Sequence, residues 1–474
     1  MIKPFYLDGR WESSPAVQAV INPWNGELIA EVCLADAAQV ERAVASSHRA
    51  FASTRKIPAA ERVALLGRVA EGIRVRRAEF IAAIVAEAGK PVTYAGMEVE
   101  RAQITFEQAA HEAAVSHGHT LEMEATAPGK GHFGLVRRFP IGAILGVTPF
   151  NFPLNLVAHK VAPCLATGNT MVLKPALKTP LSSLLLAEVL HEAGVPAGQI
   201  NVVPFSHEHI PPLLRDGRIK MLSFTGSVEV GWKLKSEAAK QKVALELGGN
   251  AAVIVEADSA WQSAIPKIAA GAFGYAGQSC ISVQRIFVQA SIYEAFRREL
   301  VAFVSTKMPV GDPEDRAVVV GPMINAAARD KVVKWVREAE AGGAKLLTPL
   351  KTESLSLLHP VLIENAPRDS AVVCEEVFAP VAVLESYQTF DEALGRVNDS
   401  VYGLQAGVFT SDITKAMKAF EEIEVGGVLI NQTPTFRVEN MPYGGVKNSG
   451  FGREGVRYAM EEMTEPRSLV INLG

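Results

Sequence analysis

The chain has 474 residues, which is too long for one compact unit and typical of two or three domains. Its hydrophobic content of 48% and charged content of 21% are those of an ordinary globular protein in water. The net charge is −4, and Lys and Arg are scattered without a run of like charges. This pattern argues against nucleic acid as a main partner.

The four cysteines stand at positions 33, 164, 280 and 374, with neither a CxxC pair nor a spacing to histidine that suits zinc. We therefore expect reduced thiols, no metal site and a cytoplasmic protein. The run 139–158 is uncharged and long enough to span a bilayer, but it contains three prolines and two asparagines. It predicts a buried strand and an irregular loop instead, and hence no membrane partner. The first residues lack the apolar segment of a secretory signal.

Helix patterns come first along the chain. Apolar residues at helical spacing predict a helix over 36–51 with Asp36 as its N-cap, one or two helices over 58–89, and another helix over 98–116.

From residue 132 to residue 249, strand patterns alternate with helix patterns. The predicted strands are 132–140, 141–149, 170–176, 200–205, 219–227 and 242–249. The predicted helices are 182–194, 209–216 and 228–240. Because such alternation brings parallel strands side by side, we expect an α/β fold whose parallel sheet carries helices on both faces.

A second alternation follows in the rest of the chain. Its predicted strands are 251–258, 284–290 and 381–387, and its predicted helices are 261–277, 291–307, 329–342 and 413–423. The residues 468–474 have the pattern of a terminal strand, which we expect to pair with another subunit.

A doubly wound sheet is a candidate nucleotide site, although the chain has no GxGxxG fingerprint in it. The stretch FTGSVEVG, 224–231, lies between a predicted strand and a predicted helix. Its glycine permits a tight turn, and free N–H groups at the helix start could bind a pyrophosphate. Lys174 ends a strand at the edge of the sheet where ligands bind. Taken alone, FTGSVEVG also fits a simple turn before a helix, and Lys174 also fits a solvated lysine at a strand end.

Cys280 lies in GQSC, just before an apolar, strand-like run. A free cysteine in such a place is either inert core packing or a nucleophile. The neighbouring residues alone leave both interpretations open.

Seven short motifs, taken together and in order, resemble those of the aldehyde dehydrogenase superfamily, and the resemblance covers essentially the whole chain. They are TPFNFP at 148–153, LKPA at 173–176, FTGSVEVG at 224–231, LELGGN at 245–250, GQSC at 277–280, EEVFAP at 375–380 and PYGGVKNSGFGREG at 442–455.

The resemblance implies the aldehyde dehydrogenase fold, with a Rossmann-like cofactor domain, an α/β catalytic domain and a small β oligomerisation extension. We place the cofactor domain at 1–119 and 139–247, the catalytic domain at 248–440, and the extension at 120–138 and 455–474. The resemblance further implies NAD or NADP as cofactor and a homodimer or homotetramer.

In this family a thiolate adds to the aldehyde, because the resulting oxyanion can expel hydride toward the nicotinamide, and water then hydrolyses the thioester. By resemblance, Cys280 is the nucleophile and Asn151 the oxyanion donor, unless the asparagine merely completes a turn. Glu246 matches the general base, unless it is a strand-end surface residue. Members that pass the acyl group to coenzyme A lack this glutamate, so water is the expected acceptor.

The resemblance also assigns a set of cofactor-binding residues. These are Thr148, Pro149, Phe150, Lys174, Ala176, Leu177, Lys178, Phe224, Thr225, Gly226, Ser227, Val230, Leu247, Gly248, Glu376 and Phe378. NAD-preferring members often have a glutamate where this chain has Leu177, and Lys178 follows. Without that carboxylate a 2′-phosphate is not repelled, which favours NADP.

Substrate contacts are expected from Arg101 and Arg437, and from Ser279 and Ile281 on either side of the cysteine. Two guanidinium groups can clamp a distal carboxylate or phosphate, although each arginine also fits a surface role. The hypothesis is a short aldehyde with a terminal anion, succinic semialdehyde first, with lactaldehyde or phosphonoacetaldehyde as alternatives. A cysteine hydrolase without redox chemistry is the rival class. His159 is expected to serve in packing, with a place in the wall of the substrate tunnel as the alternative.

Overall fold

The computed structural model describes residues 2–115, 118–353 and 355–474. Its first large sheet has eight strands, and five of them form the predicted parallel core. In spatial order the strands are Gly450–Phe451, Lys242–Glu246, Ile219–Thr225, Ala143–Val147, Thr170–Lys174, Ile200–Val202, Phe5–Leu7 and Arg10–Glu12. The outer strands at both edges run antiparallel to their neighbours. Most residues of the central strands are buried, as expected for a sheet covered on both faces.

The helices of this half confirm most of the predicted segments. They are Ala37–Thr54, Ala59–Val75, Arg77–Ala88, Val92–Ala113, Asn155–Thr167, Leu181–Glu192, Ile210–Leu213 and Val228–Glu237. Asp36 caps the first helix, accepting a 2.8 Å hydrogen bond from the backbone N–H of Gln39. The helix predicted over 98–116 begins six residues earlier, at Val92, and Ser116 lies outside the described residues.

The second large sheet has seven strands, all parallel except the short first one. Its order is Lys345–Leu346, Val361–Glu364, Val381–Tyr387, Val283–Gln289, Ala251–Val255, Gln405–Phe409 and Gly427–Ile430. The helices of this half are Trp261–Phe273, Tyr293–Lys307, Ala326–Ala341, Ala371–Cys374, Phe390–Asn398 and Ile413–Glu422.

A three-stranded antiparallel sheet stands apart from both large sheets and consists of His119–Leu121, His132–Pro140 and Thr464–Asn472. The predicted terminal strand is present, but it pairs with its own chain, from Thr464 opposite Pro140 to Asn472 opposite His132. It is the outer strand of this sheet, so its other edge has no partner among the described strands, and pairing with another subunit stays a prediction.

The remaining elements are small. They are a three-stranded sheet of Ile2–Lys3, Val17–Ile21 and Leu28–Cys33, the pair Thr352–Glu353 and Leu357–Leu358, the pair Tyr402–Gly403 and Val446–Lys447, and the helix Val456–Glu462. No helix in the described part of the chain is both long and apolar enough to cross a membrane. The predicted domain limits stay a prediction.

The register of the first sheet brings several motifs to one edge. Val147 pairs with Lys174 and with Phe224, and Thr225 pairs with Glu246. Because these strands are parallel and in step, the loops that follow them leave the sheet side by side. The motifs TPFNFP, KPA, FTGS and LELGGN are thereby neighbours in space.

Candidate active site

Cys280 lies in a constrained turn between the helix Trp261–Phe273 and the strand Val283–Gln289. Tyr275 and Ala276 are in the left-handed region, with φ of 52° and 53°. A Cβ on Gly277 would lie 2.2 Å from a backbone carbonyl oxygen, so only glycine fits there. Backbone strain of this kind clusters at functional sites, and here it fixes the position of the cysteine.

The Cys280 sulfur lies 3.0 Å from the Tyr443 hydroxyl oxygen. Burial raises the pKa of the thiol to about 12, and the hydrogen bond from Tyr443 opposes that rise. Cys33 and Cys164 are buried in the core of the first half, whereas Cys374 is exposed. Cys280 is the cysteine that lines the large central cavity.

The central cavity has a volume of about 390 Å³. The structure brings together here seven of the predicted site residues, from distant parts of the chain: Arg101, Thr225, Glu246, Ser279, Cys280, Ile281 and Arg437. Other lining residues include Tyr94, Phe152, His159 and Tyr443. The convergence of a thiol, a carboxyl group and two guanidinium groups in one cavity is the central feature of the site.

Asn151 lies beside the cavity, not in its wall. Its buried side-chain amide donates a 3.0 Å hydrogen bond to the backbone carbonyl of Gln278, two residues before Cys280. A side-chain amide has two N–H donors, so a second one is left for a ligand. The predicted oxyanion donor is thus held against the cysteine loop, and its role stays a prediction.

Glu246 ends the strand Lys242–Glu246 and is 4% exposed. Neither carboxylate oxygen has a hydrogen-bond partner among the described residues. Burial raises the pKa of Glu246 well above its usual value, and the nearby charge of Glu454 adds to the rise. A Cβ on Gly444 would lie 2.9 Å from Glu246 Oε1, so the chain passes close to this carboxyl group.

Arg437 is buried against the Tyr443 ring, with its guanidinium carbon 3.6 Å from the ring centre. Its Nη2 donates to His159 Nδ1 at 3.0 Å and lies 3.7 Å from Glu454 Oε2. Its Nε has no hydrogen-bond partner within the described part of the chain. A buried guanidinium with an unused N–H group is suited to an anionic ligand.

Arg101 lies on the helix Val92–Ala113 and donates from Nε to Glu439 Oε1 at 2.7 Å. Its buried Nη2 has no hydrogen-bond partner in residues 2–115, 118–353 and 355–474. Both arginines predicted for the substrate thus line the cavity, each with a donor to spare.

His159 joins the two arginines, a role that the sequence analysis missed. Its Nε2 lies 2.6 Å from Glu439 Oε2, and its Nδ1 receives the bond from Arg437. Because a guanidinium can only donate, Nδ1 accepts and Nε2 carries the proton toward Glu439. A histidine and Lys160 in a helix whose residues are all buried were a signal that polar partners lie nearby.

Lys160 pairs with Glu454 at 2.9 Å, behind the cavity wall. Although burial alone would raise the pKa of Glu454, the charges of Lys160 and Arg437 hold it well below its usual range. A charged Glu454 beside Glu246 therefore makes ionisation of Glu246 more costly.

Ser227 begins the helix Val228–Glu237 at the edge of the first sheet, and its side chain makes no capping hydrogen bond. The Gly226 N–H donates a hydrogen bond to the Glu246 backbone carbonyl at 3.1 Å. The backbone N–H groups that are free for a ligand are therefore those of the first helical turn. A Cβ on Gly231 would lie 2.3 Å from Leu247, which shows how closely the helix packs on the sheet. The exposed Val230 lies on this helix. An uncapped helix N-terminus can bind a phosphate group.

Lys174 is buried and has neither a hydrogen-bonded nor an ion-paired partner among the described side chains. Burial lowers its pKa to about 8. The neighbouring Lys178 is exposed and lines a different groove, with Asn22, Pro23 and Asn325. None of the residues of the FTGS turn line that groove. The assignment of both lysines to one cofactor stays a prediction.

Glu376 contacts the glycine pair before Asn250. Its Oε1 accepts a 3.1 Å hydrogen bond from the Gly249 N–H, and burial raises its pKa to about 7. A Cβ on Gly248 would lie 2.4 Å from Glu376 Oε2, and one on Gly249 would lie 2.3 Å from the Cys280 carbonyl oxygen. Glu376 is therefore adjacent to the cysteine loop.

Phe378 and Phe150 bring two further motifs together, since their ring centres are 5.8 Å apart in an edge-to-face arrangement. Phe378 has a φ of 52°, a strained conformation for a bulky residue. The Thr148 N–H donates to the Lys174 carbonyl at 3.2 Å. This edge offers a helix N-terminus, a buried ammonium without counter-charge and the half-buried Glu376 carboxyl group near the cysteine loop, which are groups that could hold a dinucleotide.

Comparison with known proteins gives a consistent result. The sequence model of the aldehyde dehydrogenase family matches residues 11–469. The chain is 41% identical over 469 residues to 3-sulfolactaldehyde dehydrogenase of Priestia aryabhattai, covering 99% of this chain and 98% of that protein.

Two solved structures are similar along nearly the whole chain. One is aldehyde dehydrogenase 21 of Physcomitrella patens in complex with the reaction product succinate, with a TM-score of 0.97, 39% identity, and 100% and 98% of the two chains covered. The other is the glyceraldehyde-3-phosphate dehydrogenase GapN of Methanocaldococcus jannaschii complexed with NADP, with a TM-score of 0.91, 36% identity, and 96% and 99% covered.

Proposed function

The chain belongs to the aldehyde dehydrogenase family of NAD(P)-dependent oxidoreductases, and from this premise we propose a substrate class and a set of catalytic roles. The proposed substrate is a short aldehyde with a distal negative charge, succinic semialdehyde first. The observation that carries the proposal is one cavity that holds Cys280, Arg101 and Arg437, with an unused buried N–H group on each arginine.

Cys280 is the proposed nucleophile. Its deprotonated sulfur bonds to the carbonyl carbon, and the carbonyl oxygen takes the negative charge as the C–O double bond becomes single. The free N–H of the Asn151 amide and the Cys280 backbone N–H stabilise that oxygen. The nicotinamide cofactor, when bound, supplies the acceptor for the hydride that leaves the substrate carbon. The product on the enzyme is a thioester of Cys280.

Glu246 is the proposed base for hydrolysis. It takes a proton from a water molecule whose oxygen attacks the thioester carbonyl, and the C–S bond breaks to release the acid and the cysteine thiolate. A base works best when its pKa is near the working pH, and the raised pKa of Glu246 moves it in that direction.

The ion pairs around the cavity favour a single negative charge on the substrate. Arg101 is compensated by Glu439, and Lys160 by Glu454. Arg437 shares Glu454 only at 3.7 Å, so about one buried positive charge is left without a close counter-charge. Lys267 also lines the cavity without an ion pair among the described residues, but it is exposed, and water screens its charge. A carboxylate or sulfonate matches the buried surplus better than a phosphate, which carries about −1.5 to −2 charges at neutral pH. The names of the similar proteins, with succinate and sulfolactaldehyde, support the same class.

NAD or NADP is the proposed cofactor, and NADP is favoured. Lys174, the helix start at Ser227 and Glu376 would hold its adenosine ribose, pyrophosphate and nicotinamide ribose. The preference rests on Leu177, which leaves out a carboxylate, and on the exposed Lys178, whose positive charge would attract a 2′-phosphate. Solved relatives include complexes with either cofactor.

We further propose a homodimer or homotetramer, assembled through the three-stranded sheet. Its terminal strand Thr464–Asn472 exposes Leu469, Val470 and Ile471, whose apolar side chains a second subunit would cover. Light scattering coupled to size-exclusion chromatography tests this, and a monomer at micromolar concentration contradicts it.

The test of the substrate class is a panel of aldehydes with both cofactors, followed at 340 nm. We expect kcat/KM for succinic semialdehyde to exceed that for butanal, a neutral aldehyde of the same length, by about a hundredfold, since two charge-assisted hydrogen bonds distinguish them. Arg101→Gln and Arg437→Ala should each reduce this ratio at least tenfold. An unchanged ratio in both variants contradicts the clamp.

The same panel separates the alternatives. Lactaldehyde as the best substrate would show that no distal anion is needed, and phosphonoacetaldehyde as the best substrate would show that the cavity prefers two charges. Aldehyde-dependent absorbance at 340 nm excludes the redox-free cysteine hydrolase, which the family membership already disfavours. A hundredfold preference for NAD contradicts the NADP assignment.

A further inference from the structure

Tyr443 lies between the nucleophile and the substrate arginine. Its hydroxyl oxygen is 3.0 Å from the Cys280 sulfur, and the Arg437 guanidinium covers its ring at 3.6 Å. The side chain is 3% exposed and packs with Ile281 and Leu404. We propose that Tyr443 is a further catalytic residue, which donates a hydrogen bond to the Cys280 thiolate.

The backbone holds Tyr443 in this position. Its N–H donates to the Glu454 carbonyl at 2.9 Å, and the Glu454 N–H donates back to the Tyr443 carbonyl at 2.7 Å. The adjacent Gly444 has a φ of 153°, which lets the chain pass Glu246. The hydroxyl is thus aimed at the sulfur by a bridge to the segment that carries Glu454, and small side-chain movements do not release it.

The direction of the hydrogen bond between Tyr443 and Cys280 follows from the protonation states of the phenol and the thiol. Burial raises the pKa of the Tyr443 phenol well above its usual value, so the phenol keeps its proton throughout the working range. When the thiol loses its proton to water, the sulfur can only accept and the phenol O–H must donate. No bond forms between oxygen and sulfur, and the tyrosine ends the step with the proton it had at the start.

A donor is needed here because the surroundings disfavour a thiolate. Burial alone raises the pKa of Cys280 strongly, and the charges of Glu376 and Glu246 raise it further. The hydrogen bond from Tyr443 and the charge of Arg437 are the opposing effects. A guanidinium on the ring face also holds the phenol in one orientation. Tyr443 therefore offsets part of the cost of activating the nucleophile.

The inference rests on the proposed role of Cys280, so the test measures the thiol itself without turnover. Iodoacetamide alkylation of Cys280 is followed by mass spectrometry of the tryptic peptide 268–285, which contains no other cysteine. Peptide 369–396 carries the exposed Cys374 and serves as internal reference. The measured quantity is the ratio of the two alkylation rates in wild type and in Tyr443→Phe, from pH 7 to pH 9.

We expect the ratio to fall about three- to fourfold in Tyr443→Phe at each pH. A hydrogen bond to a charged acceptor is worth about one pKa unit, which lowers the thiolate fraction about tenfold, and the more basic thiolate recovers part of the loss through its higher nucleophilicity. The phenylalanine keeps the ring under Arg437 and both backbone bonds to Glu454, and thermal melting verifies the fold. Tyr94→Phe is the matched control, since Tyr94 lines the same cavity but its hydroxyl lies against Gly274.

An unchanged or increased ratio in Tyr443→Phe overturns the inference, and so does an equal fall in Tyr94→Phe. Failure of the proposed function looks different: Cys280→Ala would then retain turnover, whatever the alkylation rates show.

Discussion

Glu439→Gln gives a quantitative test of the charge balance in the cavity. Glu439 is 5% exposed and accepts hydrogen bonds from Arg101 at 2.7 Å and from His159 at 2.6 Å. Although burial alone would raise the pKa of Glu439, His159 and Arg101 hold it well below its usual range, so the carboxyl group is ionised at neutral pH. Glutamine has the same shape and removes one negative charge.

The magnitude follows from distance. For an anion bound at the free Nη2 of Arg101, a separation of about 7 Å from the Glu439 carboxylate is taken for the Coulomb energy. At an effective dielectric constant of about 20, each unit of ligand charge then interacts with Glu439 by roughly 2.4 kcal/mol. Removing Glu439 therefore favours a dianion over a monoanion by about fiftyfold.

The assay compares kcat/KM for glyceraldehyde 3-phosphate and for succinic semialdehyde at low ionic strength, by absorbance at 340 nm. We expect their ratio to rise about fiftyfold in Glu439→Gln, even if both values fall because Arg101 is held less firmly. Glu439→Asp keeps the charge and should leave the ratio within about threefold of wild type. A ratio that stays constant or falls in Glu439→Gln refutes the charge-balance argument.

Three more predictions concern Glu246 and its neighbour Gly444. The Glu246→Gln variant should form the thioester but hydrolyse it about 10²–10⁴-fold more slowly than the wild type. Stopped-flow absorbance should then show a burst of reduced cofactor followed by a slow phase. A steady rate without a burst contradicts this prediction. The pKa of Glu246 is higher in the folded than in the unfolded state, so the folded protein loses stability as the pH rises above the unfolded-state pKa of this carboxyl group. Glu246→Gln should therefore raise Tm at pH 8 and leave it unchanged at pH 4. Equal changes in Tm at both pH values would be evidence against a raised pKa. Gly444→Ala places a Cβ 2.9 Å from Glu246 Oε1, at a residue with a φ of 153°. It should lower the free energy of unfolding, measured by chemical denaturation, by about 1–3 kcal/mol. The control Gly395→Ala adds a Cβ to a helix position with open space around it and should leave the free energy of unfolding unchanged or raise it.

Much of the fold could be predicted because its local patterns are strong. The alternation of strands and helices indicated the parallel core of the first sheet, and Asp36 marked a helix start that the structure confirms. The edge strands Phe5–Leu7 and Gly450–Phe451 could not be predicted, since each joins the sheet far from its own place in the sequence. Pairing over such separations depends on tertiary packing, which local periodicity does not contain.

In the candidate site, too, local motifs were predictable, whereas contacts between distant parts of the chain were not. Cys280 and Glu246 stood in recognisable motifs, the two arginines were predicted as substrate contacts, and the structure places all four around one cavity. The contact between His159 and Glu439 spans 280 positions, so only the folded chain reveals it. The assignment of Lys178 and Lys174 to one cofactor stays a prediction, because the direction of a side chain after a strand end depends on the loop's conformation.

The last tenth of the chain has a consequence for biosynthesis. Arg437, Glu439, Tyr443 and Glu454 all lie in it, and its strand Gly450–Phe451 closes the edge of the first sheet beside Glu246. A nascent polypeptide emerging from the ribosome displays Cys280 long before these groups exist to surround it. The active site is therefore complete only when the whole polypeptide has been made. A prematurely terminated product would retain the Cys280 thiol but lack the groups that surround it.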